Sequence, residues 1–326
     1  MSDADRSTPF IIATDPLAPP QGLAGAVYAI GNFDGAHRGH RAVIKRTRTL
    51  ARELGAPCAV LTFEPHPADY FSGRPVVFRL TPKAVKARAL GELGLDGAVF
   101  LTFDAGLAAL SAEDFVRSVL VARLGVRAVV VGWDFHFGKA RGGSPAFLQE
   151  AGRRHGFIVD VIDKVAGTDE AAGAAVSSTA VRRALEAGDV AGAARLLGRD
   201  YAVIGEVIAG QKLGRTLGTP TANIALEATN RLAFGVYAVR GVVDGAAYGG
   251  VASFGARPTV THEGAPLLEV HLFDFAGDLY GKTIAVEFVE RLRGEEKFAG
   301  LAELIAAMEA DKAAARRVLA ECLMPP

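Results

Sequence analysis

Residues Tyr28–His40 read YAIGNFDGAHRGH. An apolar run stops at Gly31, a turn containing Asp34 and Gly35 follows, and His37-Arg38-Gly39-His40 leads into the helical pattern RAVIKRTRTLAREL. Strand, glycine turn, helix is a building unit of a parallel α/β sheet, in which a ligand meets strand carboxyl ends and the positive N-terminus of a helix. Two histidines three apart on an opening helical turn share one face. A pair of imidazoles beside unpaired backbone N–H groups suits a polyphosphate whose charge grows during attack at phosphorus. The same pair could equally be a surface feature, and the glycines plain turn residues. A metal would need a third ligand, and no Cys or His cluster offers one at useful spacing. The glycine pattern is neither G-x-G-x-x-G nor G-x-x-x-x-G-K-[ST], which excludes the dinucleotide fingerprint and the P-loop.

Working outward, strand and helix patterns alternate from Ala26 to about Ile162. AVYAIG, CAVLTF, GAVFL, RAVVVGW and FIVDVI are the strands; the segments between them are helical, and Gly55, Gly94 and Gly125 are helix stops. In SAEDFVRSVLVARLG, Phe115, Val119, Ala122 and Val126 form the predicted buried stripe. Such alternation predicts a doubly wound parallel sheet covered on both faces. Residues after Asp163 are small and irregular and read as a loop, and STAVRRALEAGDVAGAARLLG predicts two short helices parted at Gly188-Asp189. From Tyr201 the rhythm changes to strands in quick succession with turns such as Asp244-Gly245, which predicts an antiparallel β-barrel or sandwich. A terminal helix closes the chain, with Leu301, Leu304, Ile305 and Met308 as its predicted buried face and Glu303, Asp311, Arg316 and Arg317 facing away. The boundary falls between Glu186 and Arg199, giving domains 1–187 and 188–326.

Composition narrows the function. The chain has 326 residues, and Lys+Arg and Asp+Glu both number 36, so bulk charge gives no reason to expect nucleic acid or a membrane surface as partner. Two distant cysteines, Cys58 and Cys322, form no disulfide framework and suit a reducing cytoplasm. The start MSDADRSTPF lacks the regions of a signal peptide and reads as a frayed polar end, and no apolar run is long enough to span a bilayer.

The string G-x-F-D-G-x-H-x-G-H is accompanied, in order, by TFEPHP (62–67), GWDFHFG (132–138) and SSTAVR (177–182), then by GRTLGTPTANI, GVYAV, GVASFGARPTV and LLEVHLFDFAGDLYGKTI. This set resembles the bacterial bifunctional riboflavin kinase/FAD synthetase family from Ala26 onward. The resemblance implies an N-terminal FMN adenylyltransferase domain and a C-terminal riboflavin kinase barrel, with riboflavin, FMN and ATP as substrates. It implies that His37 and His40 stabilise the transition state as an FMN phosphate oxygen attacks the α-phosphorus, in a pocket shaped by Gly31, Phe33 and Asp34. Ser178, Thr179 and Arg182 become a second phosphate clamp; without the resemblance, the two hydroxyls would read as helix caps. Phe63 and His66 become flavin or nucleotide contacts on a proline-stiffened loop, and Asp134 a nucleotide or metal contact.

In the second half the resemblance makes GQKLGRTLGTPTANI a nucleotide flap. Gly214 and Arg215 meet the phosphates, and Thr221 and Asn223 position Mg²⁺, a hard cation suited to oxygen donors. Glu269, which on its own would read as a solvent-facing strand residue, becomes the general base for the riboflavin 5′-hydroxyl. Three positions depart from the family pattern: Thr219 where an aromatic is usual, Ser253 where Asn is usual, and Ala140 where Gly is usual. Two alternatives stay open: a different nucleotidylyltransferase with an appended barrel, and a barrel that senses flavin or binds oligonucleotides. Homo-oligomerisation is not decided by the sequence.

Overall fold

The computed structural model describes residues 9–164, 176–209, 219–256 and 266–322. These form two compact units, Met1–Val77 with Thr81–Ser177, and Phe78–Leu80 with Ser178–Pro326.

The first unit is built on a six-stranded parallel sheet in the order β1-β4-β3-β2-β5-β6. Its strands are β1 (Ile11–Thr14), β2 (Val27–Ile30), β3 (Cys58–Glu64), β4 (Gly97–Thr102), β5 (Ala128–Gly132) and β6 (Ile158–Ile162). Because side chains alternate, each central strand feeds two cores. Val27, Ala29, Val60 and Val130 pack under α1 (Arg38–Leu54), against Val43, Ile44 and Leu50. Tyr28, Ile30, Leu61, Val129 and Val131 pack on the opposite face with Phe115, Val119, Leu120 and Leu148. Both faces are therefore covered, which is why these strands are apolar throughout. The chain runs outward from β2 through β3 to β4 and then crosses back to β5 on the other side of β2. That reversal makes the carboxyl ends of β2 and β5 the topological switch point, the usual ligand position in such sheets.

Three local features differ from the sequence reading. Strand β1 lies just after the polar start and pairs with β4 from Ile11↔Gly97 to Thr14↔Phe100; four edge residues carry too little pattern to stand out. Segment Phe115–Arg123 is a π-helix, and its buried residues are Phe115, Val116, Val119 and Leu120, with Ala122 exposed. Wider i→i+5 turns rotate the buried stripe away from the 3.6-residue spacing. The TFEPHP loop is short: His66 caps α2 (Pro67–Ser72), its Nδ1 accepting from the Ala68 N–H at 3.2 Å, with Pro67 in the first helical position.

The second unit is a closed antiparallel barrel, ordered β10-β11-β8-β7-β12-β9. Its strands are β7 (Tyr201–Ile208), β8 (Ala222–Ala225), β9 (Gly235–Val243), β10 (Ala246–Ala256), β11 (Pro266–Leu272) and β12 (Thr283–Arg293). Tyr237, Val239, Ala252, Phe254, Leu268, Val270, Ile284, Val286 and Phe288 fill the interior. Two helices, α7 (Ser178–Ala187) and α8 (Val190–Leu197), join this core through Val181, Leu185, Val190 and Leu197. Asp189 caps α8, as the Gly188-Asp189 break predicts. The packing division thus falls before α7, whereas the sequence places the domain boundary after it. The apolar face of α7 has its partners in the barrel cluster.

The terminal helix, which we label α9 (Leu301–Glu321), buries Asp311, Ala315 and Leu319 instead of the predicted face; Leu301 and Ile305 are exposed. Asp311 is buried because it accepts two hydrogen bonds from Arg293, at 2.9 and 2.8 Å, at the end of β12. A bidentate ion pair offsets burial of the carboxylate.

Candidate active sites

The turn after β2 is held in an unusual backbone state. Phe33, Gly35 and Ala36 all have positive φ (48°, 86° and 46°). Asp34, buried, fixes that turn: its Oδ1 accepts from the Thr81 N–H at 2.9 Å and the Thr81 hydroxyl at 3.2 Å, while the Gly35 N–H donates to Thr81 Oγ1 at 2.8 Å. These bonds make Asp34 a strut for the turn. His37 is the N-cap of α1, with its Nδ1 accepting from the His40 N–H at 3.3 Å. That contact explains the spacing, since an N-cap side chain reaches the N–H of the third helical residue. Nδ1 being the acceptor, a neutral His37 carries its proton on Nε2.

The His37 and His40 rings stack, centroids 3.6 Å apart at 17°, and Phe33 meets His40 edge-on at 5.2 Å. Among the described residues, His40 Nδ1 is buried without a hydrogen-bond partner. Burial, then the charges of His37 and Lys86, holds the His40 imidazole well below its ordinary pKa, so it is neutral near pH 7. Gly39 is closely packed: a Cβ there would stand 3.1 Å from His37 Cε1 and Nδ1 and 3.4 Å from the Val176 carbonyl, so the His37 ring would have to give by a few tenths of an ångström. Gly31, by contrast, has no left-handed backbone, and a Cβ there would make only ordinary contact with the Phe33 ring at 3.5 Å.

Sequence reasoning missed Lys86, in α3 (Lys83–Gly91), whose fully buried ammonium pairs with Glu64 Oε1 at 2.8 Å at the end of β3. Its signal was present: Lys86 shares the helical face of Val85, Ala89 and Leu90, all buried. Thr81 had no comparable signal. Phe63 is core, edge-on to Phe103 at 6.1 Å, and His66 Nε2 lies 3.5 Å from Asn32 Nδ2. After β5, Asp134 is exposed, Trp133 is half-exposed and Phe137 is buried. Ser178, Thr179 and Arg182 lie on the first turns of α7 in the second unit, where Arg182 Nε donates to the Phe78 carbonyl at 2.7 Å.

In the barrel, Glu269 of β11 pairs directly with Asn223 of β8 on one side and Ser253 of β10 on the other. Directly opposed residues share a sheet face. The alternate residues Leu268, Val270, Ala222 and Ile224 fill the interior, so this row lies on the outer face of the barrel wall. Asn223 is nonetheless buried, and among the described residues its Oδ1 has no hydrogen-bond partner. Thr221 precedes β8 by one residue and is half-buried. Gly214 and Arg215 lie outside the described residues. Among the described residues, no three His, Cys, Asp or Glu side chains cluster to hold a metal, and no helix is long and apolar enough to cross a membrane.

A histidine pair at the switch point of a parallel sheet and an oxygen-rich row on a closed barrel define a two-domain transferase acting on phosphate groups. The family model for FAD synthetase matches residues 20–180, and that for riboflavin kinase matches 197–319. A bifunctional riboflavin kinase/FMN adenylyltransferase of Pseudomonas fluorescens is 48% identical over 91% of this chain and 94% of its own. Its counterpart in Escherichia coli K12 is 42% identical over 90% and 92%. A crystal structure from Streptococcus pneumoniae, described as a macrolide-efflux protein, shares the fold at TM-score 0.79 and 30% identity, covering 93% of this chain and 98% of that one. The chain belongs to the bifunctional riboflavin kinase/FMN adenylyltransferase family. It phosphorylates riboflavin to FMN with ATP, then adenylylates FMN to FAD.

Proposed function

We propose that the two reactions divide between the two constellations as follows. In adenylyl transfer an FMN phosphate oxygen bonds to the α-phosphorus of ATP as the bond to the β-phosphate oxygen breaks and pyrophosphate leaves. His37 and His40 stabilise the charge that develops on the α-phosphate oxygens, and Ser178, Thr179 and Arg182 hold the departing phosphates. Phe63, His66 and Asp134 border the flavin and nucleotide. The observation that carries this reading is the buried, unpartnered Nδ1 of a neutral His40 at the N-terminus of α1. An unmet polar atom costs the fold stability, and a phosphate oxygen would meet it. This function extends through α7, and we place its end at Ala187.

In the kinase reaction the riboflavin 5′-oxygen bonds to the γ-phosphorus, ADP leaves, and Glu269 accepts the hydroxyl proton. Asn223 Oδ1, buried without a partner directly across from Glu269, fits a hard cation, and we assign Mg²⁺ to Asn223 and Thr221. When bound, Mg²⁺ supplies neutralisation of phosphate charge. Gly214 and Arg215 belong to the same nucleotide segment. Two cysteines far apart in the chain support a cytoplasmic enzyme. The test is a chromatographic time course with riboflavin and MgATP: FMN should precede FAD in the parent, His40→Ala should stop at FMN, and Asn223→Ala should block FMN formation while still adenylylating added FMN. Loss of both steps in both variants would refute the division.

A further inference from the structure

Thr219 and Pro220 belong to no strand, and Pro220 has no N–H to anchor. Two side chains hold them. Lys312 Nζ, from α9, donates to Thr219 Oγ1 at 3.1 Å and is paired with Glu309 Oε1 at 2.5 Å. His271, two residues beyond Glu269 on the same outer face of β11, meets the Pro220 carbonyl at 2.9 Å through Nδ1, which must therefore carry the proton. Thr219 is buried, and the Lys312 side chain is only 18% exposed. The charge of this lysine is met by Glu309, while another of its donors reaches a buried hydroxyl, so it ties Thr219 to α9 and is not an ordinary solvated charge. Thr221 thus hangs between two anchors on its N-terminal side and the β8 ladder, which begins at Ala222.

We propose that Lys312 and His271 are positioning residues of the kinase half: they fix Thr219-Pro220 so that Thr221 and Asn223 present their oxygens in one geometry, making the terminal helix part of the site's support. The inference rests on the assignment of Thr221 and Asn223 to MgATP. It also gives a role to Thr219, whose hydroxyl accepts from Lys312.

The experiment uses the full chain with Lys312→Met, Lys312→Arg, Thr219→Val and the Lys312→Met/Thr219→Val double variant, measuring riboflavin phosphorylation against MgATP and, separately, FMN adenylylation. Lys312→Met and Thr219→Val should each raise the kinase KM for MgATP about tenfold, or about 1.4 kcal/mol, with a smaller change in kcat. Because both remove the same hydrogen bond, the double variant should be no worse than the more affected single. Lys312→Arg keeps a donor and should recover most of the affinity, and adenylylation should be unchanged throughout. If Lys312→Met unfolds the barrel, the near-isosteric Thr219→Val still decides. An unchanged MgATP KM in Thr219→Val, or additive losses in the double variant, would overturn the proposal. Asn223→Ala separates the two levels: if it too leaves MgATP affinity intact, the nucleotide assignment itself fails and the proposal falls with it.

Discussion

Gly39→Ala is a sharp test of why a glycine stands between the two histidines. The added Cβ would sit 3.1 Å from two atoms of the His37 ring, a few tenths of an ångström inside ordinary contact, and 3.4 Å from the Val176 carbonyl. The side-chain ring gives more readily than backbone, so the ring should move. Its Nδ1 bond to the His40 N–H is already long at 3.3 Å, and its stacking on His40 at 3.6 Å passes any shift to the second imidazole. Stability should hardly change, because loss of the cap costs about 1 kcal/mol while replacing a helical glycine by alanine returns up to about 1 kcal/mol. Catalysis should suffer more. A misplacement of about 1 Å costs on the order of 10²-fold, so a shift of a few tenths should lower the rate of FAD formation about tenfold. The assay is the initial rate of FAD from FMN at saturating ATP, with riboflavin phosphorylation and a thermal melt on the same preparation. A variant with parental FAD formation would refute the argument from ring displacement. Parallel loss of both activities with a lower melting temperature would instead mean a folding defect.

Four further outcomes are expected. His40→Ala should lower kcat for FAD formation about 10²–10³-fold, as for other groups that stabilise transition-state charge, leaving FMN formation intact. Glu269→Gln should slow FMN formation toward the lower end of the roughly 10²–10⁴-fold range of general bases, since phosphoryl transfer has a loose transition state, while FAD formation from added FMN persists. Ala140 and Arg141 both have left-handed backbone (φ 54° and 58°), so Ala140→Gly should relieve strain and stabilise the protein by about 0.5–1 kcal/mol after the entropy cost of glycine, read from a denaturant titration. Acid sensitivity should follow His40: its imidazole takes a proton near its ordinary pKa of about 6.5 when unfolded but only well below that when folded. The unfolded state therefore binds more protons in that interval, so this contribution to stability is full above about pH 6.5 and is lost as pH falls. His40→Gln should show a shallower loss of melting temperature on acidification than the parent.

Much of this architecture was legible because periodicity and turn chemistry agreed. The five apolar runs became β2 to β6, the Gly188-Asp189 break fell between two helices, and the change of rhythm at Tyr201 marked the first barrel strand. The histidine pair was legible through its spacing, and the structure adds the reason: His37 is a cap as well as half of a ring stack. What stayed hidden depended on tertiary partners. The terminal helix buries Asp311, which no hydrophobic pattern selects, because Arg293 waits at the end of β12. The π-helical turn moved the stripe from Ala122 to Leu120. Asp34 carries a motif, yet its bonds to Thr81 come from a residue 47 positions away.

These hidden contacts share a physical logic that bears on how each half works. In both, a polar atom with a proposed ligand, phosphate for His40 Nδ1 and Mg²⁺ for Asn223 Oδ1, is left unsatisfied, while the backbone that carries it is tied down by partners from remote segments. His40 Nδ1 is unpaired and buried, but its turn is fixed by Asp34, Thr81 and the His37 cap. Asn223 Oδ1 is unpaired and buried, but it sits in the β8 ladder opposite Glu269, and the segment before it is pinned by His271 and Lys312. Leaving such atoms unmet costs stability in the absence of ligand, and rigid support keeps them from finding partners of their own. Preorganisation of this kind puts the cost into folding, so that less reorganisation is required when charge develops on phosphorus. It follows that variants of the supports, unlike variants of the unmet atoms, should lower activity by letting those atoms relax into new hydrogen bonds.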